Sequence, residues 1–266
     1  MKDATKVTVV GMGLIGGSFE KASLRAGYLV QSLHHGDNSG FEDADIILVC
    51  LPPRAVVPWI VAHSPSFKKG AFVVDIAGVK RTILNEIASA FPSGIKDWFF
   101  VGGHPMAGKE VSGYANSSAD LFQGASMILV PEKHEIITPS LRSFFISLGF
   151  SRVVITTAER HDQMISFTSQ LCHLISSAYV RDDLALFHEG FSAGSFRDMA
   201  RVGAPDPEMW TELFLENADM LLPVLERYIA RLEDFRSSLA TLDRQSMKNA
   251  LAKGAAAKAL FGKEIE

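Results

Sequence analysis

Two short stretches hold residues whose types and spacing suit chemistry. The first is Gly11-Met12-Gly13-Leu14-Ile15-Gly16, a G-x-G-x-x-G run. Between a strand and a helix, such a run makes a phosphate cradle. Gly11 permits the tight turn, Gly13 lets backbone approach a pyrophosphate, Gly16 lets helix and strand pack closely, and the helix N-terminus faces the anion. Residues 11–16 are therefore the expected cofactor-binding turn, with a tight strand–helix turn that holds no ligand as the plainer alternative. The second stretch is Gly102-Gly103-His104-Pro105-Met106-Ala107-Gly108. A histidine between glycines and a proline, just past a strand, sits where doubly wound sheets bind ligands. With an unperturbed pKa of ~6.5 it is mostly neutral at pH 7 and able to accept a proton. A loop histidine that caps something local is the bland reading of the same residues.

The elements that must position these residues follow from the hydrophobic pattern. Strands are expected at 6–10, 28–33, 45–51, 71–76, 99–101, 125–130 and 152–156, and helices at 18–26, 55–63, 82–91 and 138–148. Within 45–51 the run from Ile46 to Leu51 is apolar throughout, as strands covered on both faces are. Strands alternating with helices predict an α/β, Rossmann-like, doubly wound and mainly parallel sheet. After Thr157 the strand signal stops, and helical spacing takes over at 160–180, 182–191, 207–239 (in one piece or two) and 242–260. The expected organisation is a dinucleotide-binding domain over 1–157 and an all-helical substrate and dimerisation domain over 158–266. The last stretch, 251–266, reads as a terminal helix rich in Ala and Lys. Apolar faces such as 220–229 are too extensive for a small monomeric bundle and predict a homodimer through the helical domain.

The cofactor half departs from the usual pattern. An acidic residue is expected at the end of the second strand to hold the ribose hydroxyls. His34 stands there instead, with His35 beside it and Asp37 a little later. Between His34 and Asp45 there is room for only a short loop, so the usual helix and a small strand are missing. A polar, non-acidic residue tolerates a 2′-phosphate, so NAD and NADP both stay open as cofactors, with His34 a candidate contact or simply solvent-facing.

Composition narrows the rest. The chain has 266 residues, a formal net charge of -4 and 47% hydrophobic residues. That balance gives no electrostatic footprint for nucleic acid or an anionic membrane surface. Cys50 and Cys172 lie far apart without C-x-x-C spacing. Neither a disulfide framework nor a metal site is expected, and a reducing cytoplasm is the expected location. The apolar segment near the N-terminus is too short for a signal peptide, and no apolar run reaches membrane-spanning length.

At this point a resemblance becomes specific. The segment GGHPMAGKEVSGY (102–114) resembles the catalytic loop of the prephenate/arogenate dehydrogenase family of tyrosine biosynthesis. Three further segments fit that family in order: GMGLIGGS (11–18), AERHDQMISFTSQLCH (158–173) and RDMARVGAPDPEMWTELFLEN (197–217). The resemblance implies an NAD(P)-dependent oxidative decarboxylation of prephenate to 4-hydroxyphenylpyruvate, or of arogenate to tyrosine. Hydride leaves to the nicotinamide, the hydroxyl proton goes to a base, and carbon dioxide departs as the ring becomes aromatic. It implies that His104 is the catalytic base, and that Arg201, whose planar fork takes a carboxylate in a bidentate manner, binds substrate with His173 and Ser169. His161 reads as structural or as a domain-junction residue, and Trp210 as packing beside the pocket.

One position departs from the family. Many relatives carry a serine after the fourth strand that hydrogen-bonds the catalytic histidine, whereas here Gly78 stands in that place. His104 must then be oriented by another group or by water, while Gly78 and its loop still border the nicotinamide. No regulatory domain is expected in the remaining length, so any feedback by tyrosine is expected to act at the active site. Two other readings share the scaffold. One is another two-domain NAD(P)-dependent dehydrogenase, such as a β-hydroxyacid dehydrogenase or imine reductase. The other is a non-catalytic substrate-binding relative with an impaired cofactor site.

Overall fold

The computed structural model describes residues 5–132 and 137–261, so the last five residues of the expected terminal helix lie outside it. Seven strands form one sheet: β1 (Lys6–Val10), β2 (Leu29–Leu33), β3 (Ile46–Val49), β4 (Phe72–Asp75), β5 (Phe99–Pro105), β6 (Ser126–Pro131) and β7 (Arg152–Ile155). They lie in the order β2-β1-β3-β4-β5-β6-β7. All pairs are parallel except β5 with β6. The helices α1 (Leu14–Arg25), α2 (Pro53–His63), α3 (Arg81–Ala90) and α4 (Pro139–Ser147) alternate with the strands. The α/β, mainly parallel sheet expected from the sequence is the fold observed.

Side-chain alternation along the central strands supplies both faces. Ile46 and Leu48 of β3 join one buried cluster with Val7, Phe19 and Phe145, whereas Ile47 and Val49 join another with Val56, Ile60 and Ile83. A strand buried on both sides has no polar face to show, which is why the run from Ile46 to Leu51 is uniformly apolar. Between β2 and β3 the described residues form only turns, and Thr8 holds that loop through a 2.9 Å bond to the Gly40 carbonyl. Without a further strand beyond it, β2 is the edge of the sheet.

The structure extends β5 well past the expected 99–101. Antiparallel pairing runs from Val101↔Pro131 to Pro105↔Met127, so Gly102, Gly103 and His104 are strand residues and not a loop. The close approach of Asp75 explains the glycine: a Cβ on Gly103 would lie 2.6 Å from the Asp75 carbonyl oxygen.

Beyond β7 the described residues form helices and turns: α5 (Ala158–Ile165), α6 (Leu171–Tyr179), α7 (Gly194–Ala200), α8 (Pro207–Glu216), α9 (Ala218–Ala240) and α10 (Arg244–Phe261). A single π-helical turn, Ser166–Gln170, interrupts what the sequence pattern shows as one helix over 160–180. The segment expected to be helical at 182–191 makes only a 3-10 turn at Asp183–Phe187. The short α7 has no counterpart in the sequence expectations. The compact units are Met1–Asn217 and Ala218–Glu266. Hydrogen bonds tie the first helical segments to the sheet half: Asp162 accepts from Lys80 N–H, and the Arg81 guanidinium donates to Asn217. Within the second unit α9 and α10 pack on each other through a turn in which Leu242 has φ 52.

Candidate active site

The cradle stands at the carboxyl end of β1. Gly11 has φ +91, and a Cβ there would lie 2.5 Å from the Cys50 carbonyl oxygen. A Cβ on Gly16 would overlap the Gly11 carbonyl oxygen, so helix and turn meet only because both residues lack one. Around Gly13 the space is open, with no atom within 4 Å of a built Cβ. Gly13 is also the N-cap of α1 and supplies no side-chain cap. The N-terminus of α1 therefore has no side-chain cap and open space beside its exposed glycine, an arrangement that fits a pyrophosphate. Met12 and Ile15 pack partly against the core, and Leu14 is half-buried. His34 is exposed at the end of β2. Its backbone N–H donates to Asp37 Oδ2 at 2.8 Å, so the nearest carboxylate folds back on the strand end.

His104 stands one residue before the end of β5, facing the turn that follows β4. A Cβ on Gly78 would sit 3.9 Å from His104 Cε1 and 3.1 Å from Leu213 Cδ2. The turn therefore approaches the ring without offering it a side chain, and Leu213 occupies the neighbouring room. The hydrogen bond to the ring comes from elsewhere: His104 Nδ1 lies 2.9 Å from His161 Nε2, and His161 Nδ1 lies 2.7 Å from Asp162 Oδ1. Burial, then the neighbouring His161 and the Lys80 ammonium, hold the His104 pKa well below 6.5, so the ring is neutral at pH 7.

Asp162 is the hub beneath this pair. Besides His161 it accepts from the backbone N–H groups of Lys80 at 2.9 Å and Arg81 at 3.0 Å, and from Arg81 Nε at 3.2 Å. It thereby caps the N-terminus of α3, which has no side-chain cap of its own. Burial opposes its charge, but the bond from His161 and these N–H groups outweigh that and hold its carboxyl below the usual range. His161 moves down chiefly through burial, with its bond to Asp162 offsetting part. Lys80 and Asp75 pair beside them, and both side chains are fully buried. Burial works against each charge, and each partner offsets part of that for the other.

A second group of residues gathers around α6 to α8. His173 stacks on Trp210 with ring centroids 3.6 Å apart, and its Nδ1 bonds the Ser169 carbonyl at 3.0 Å. Ser169 contributes its backbone and lies within the π-helical turn, a distortion often found at functional sites. Arg201 follows α7 and pairs with Glu110, from the segment after β5. Burial, opposed in part by the Ser169 carbonyl, holds the His173 pKa down, and Arg201 adds to the effect. Trp210 and Leu213 lie one turn apart on α8 and so share a face. Through them α8 touches both groups, His173 on one side and the Gly78 turn beside His104 on the other.

The structure thus brings His104 and Gly78 together, places His173, Ser169 and Arg201 in a second group, and leaves His34 apart at the sheet edge. Sequence reasoning gave Glu110 and Asp162 no role and read His161 as structural or as a domain-junction residue. The adjacency of an imidazole and a carboxylate in 160-RHDQ-163 was the available signal, since neighbours can hydrogen-bond without long-range folding.

Comparison with known proteins adds independent findings. Residues 2–141 match the prephenate dehydrogenase nucleotide-binding domain, and residues 157–253 match the prephenate dehydrogenase dimerization domain. A cyclohexadienyl dehydrogenase of Zymomonas mobilis is 31% identical, over 89% of this chain and 89% of that one. A prephenate dehydrogenase of Bacillus subtilis is 25% identical, over 93% of this chain and 73% of its own length. Among solved structures, the arogenate dehydrogenase of Synechocystis superposes with a TM-score of 0.77 at 25% identity, covering 97% of this chain and 100% of that one. A prephenate dehydrogenase of Aquifex aeolicus in complex with hydroxyphenyl propionate and NAD+ gives 0.81 at 23% identity, covering 97% and 99%, a likeness of fold.

Proposed function

The chain belongs to the prephenate dehydrogenase family, and we propose from that premise that it oxidises and decarboxylates prephenate or arogenate, His104 being the proton acceptor. The observation that carries the assignment is the His104 ring itself: an imidazole at the carboxyl edge of the sheet, held neutral at pH 7 by its surroundings. The open cradle at Gly13 and the uncapped α1 N-terminus fit the pyrophosphate of NAD or NADP, with residues 11–16 as its binding turn and Gly78 and His34 bordering its two ends. When bound, that cofactor supplies the acceptor for the ring hydride.

The substrate carries a hydroxyl and a hydrogen on one ring carbon and a carboxylate on the opposite one. His104 accepts the hydroxyl proton as the C–H bond breaks. It returns that proton to the phenolate oxygen once carbon dioxide has left and the ring is aromatic, so the imidazole ends as it began. Arg201 meets a substrate carboxylate, which must displace Glu110 from the guanidinium. His173, steadied by Ser169 and Trp210, lines the same pocket and offers Nε2 to a polar group of the substrate.

Exposed apolar side chains in the helical segments, among them Phe187, Leu222, Ile229 and Leu232, support a homodimer built through that part of the chain. Two free cysteines accord with a reducing cytoplasm.

The test is an assay at 340 nm of all four pairings of prephenate or arogenate with NAD or NADP. Turnover in at least one pairing is expected and identifies substrate and cofactor together. Silence in all four, from folded protein, would refute the reading and favour a binding protein.

A further inference from the structure

The turn after β4 gives His104 no side chain, yet a general base needs a defined tautomer: a proton on one ring nitrogen and a bare lone pair on the other. We propose that His161 and Asp162 are positioning residues that keep the proton of His104 on Nδ1 and leave its Nε2 bare for the substrate hydroxyl. The inference rests on the reading of His104 as proton acceptor and adds what orients it.

The argument runs outward from the carboxylate. Asp162 has only acceptor oxygens, so at 2.7 Å the proton between Asp162 Oδ1 and His161 Nδ1 belongs to His161. A neutral His161 with its proton on Nδ1 has a bare Nε2. That nitrogen lies 2.9 Å from His104 Nδ1, and two lone pairs at that distance repel, so His104 Nδ1 carries the proton. Nε2 is then the one ring nitrogen of His104 free to accept. A doubly protonated His161 would reverse the assignment. Burial and the nearby Lys80 ammonium oppose that form more than Asp162 favours it.

The chain of contacts is also rigid. Asp162 is fixed by the N–H groups of Lys80 and Arg81. Asn217 Nδ2 donates to the Asp162 carbonyl at 3.0 Å and to Gln170 Oε1 at 2.7 Å, which pins the backbone of the same residue. His161 is 2% exposed, so water does not compete for either nitrogen. With Leu213 3.1 Å from a Cβ built on Gly78, the space beside the β4 turn is already occupied. Orientation therefore arrives from α5 instead.

The direct test is the nitrogen-15 spectrum of imidazole-labelled protein at pH 7.5. His104, assigned by its loss in His104→Asn, is expected to show a protonated Nδ1 and a bare Nε2. A protonated Nε2 would overturn the proposal. A wrong tautomer at a catalytic imidazole costs up to about 10⁴ in kcat. His161→Leu is accordingly expected to lose about 100-fold or more in kcat, with KM within about threefold. His161→Gln, whose amide oxygen still accepts from Nδ1–H, should retain kcat to within about tenfold. Equal losses in the Leu and Gln variants, or a Leu variant with unchanged kcat, would also defeat it. The spectrum needs no substrate, so a protein inactive in every pairing would defeat the assignment of function and leave the tautomer result standing.

Discussion

Along the carboxyl edge of the sheet, the cradle at β1 and β2 and the imidazole site at β4 and β5 are built from different materials. The cradle is backbone: glycines that clear space, uncapped N–H groups of α1, and an exposed strand end at His34. The imidazole site is side chains tied to one another, with Asp75, Lys80, His161, Asp162 and Asn217 all buried and bonded around His104. The difference suits what each is proposed to do. A pyrophosphate is held by many equivalent N–H donors, and small errors in any one are shared. Proton acceptance depends on one nitrogen in one protonation state, so its neighbours must be fixed. Substitutions on the two sides should therefore behave differently.

The largest effect is expected at the ring. His104→Asn should lower kcat by about 10³-fold, within the range a positioned base supplies, with substrate KM nearly unchanged. The same ring sets the acid limb of the pH profile. Its folded pKa lies well below 6.5, and on the reading of His104 as proton acceptor the neutral form is the active one. On lowering pH, kcat/KM should therefore hold level through 6.5 and fall only well beneath it. A limb centred at 6.5 or higher would mean that the ring is not shielded as the structure shows it.

Next comes the buried pair under the site. Lys80→Met strands the Asp75 carboxylate without its partner, and such losses cost about 3–5 kcal/mol. Urea denaturation should show the midpoint falling with an unchanged slope. Replacing Asp75 as well should recover much of the loss, because the charge left behind is then gone. A Lys80→Met protein as stable as the parent would erase the contrast between the two ends of the edge.

Arg201→Ala sits between the extremes, since the guanidinium is exposed and already paired with Glu110. Substrate KM should rise on the order of tenfold, with kcat changing far less. Glu110→Gln should move KM the other way, by freeing the guanidinium. If both substitutions raise KM alike, Glu110 holds substrate and does not compete with it.

The same contrast explains which parts were legible in the sequence. The cradle is local: six consecutive residues carry the turn, the clearances and the helix start, and a pattern over 11–16 shows them. The central strands β3 and β4 were legible because burial on both faces leaves a continuous apolar run. The end of β5 was not, because its pairing depends on β6, more than twenty residues on. His161 reads as structural or as a domain-junction residue for a related reason. Its proton is set by Asp162 beside it, but its bond to His104 spans 57 positions, and nothing in helical spacing announces that. The π-helical turn was likewise hidden, since its residues keep the polar and apolar order of an ordinary helix.

The smallest effect is expected at His34, and it probes the cradle side of the contrast directly. The side chain is exposed, and the loop after it has lost the elements that would wall it in. A contact made in water between an imidazole and a 2′-phosphate is weak, so His34→Ala should weaken NADP binding by no more than about fivefold and leave NAD binding unchanged. Fluorescence titration of the folded variant with each cofactor reads this without any turnover. A tenfold or larger loss for either cofactor would show the strand end to be an anchor in its own right. The cradle would then depend on a particular side chain, as the imidazole site does, and backbone alone would not account for cofactor binding.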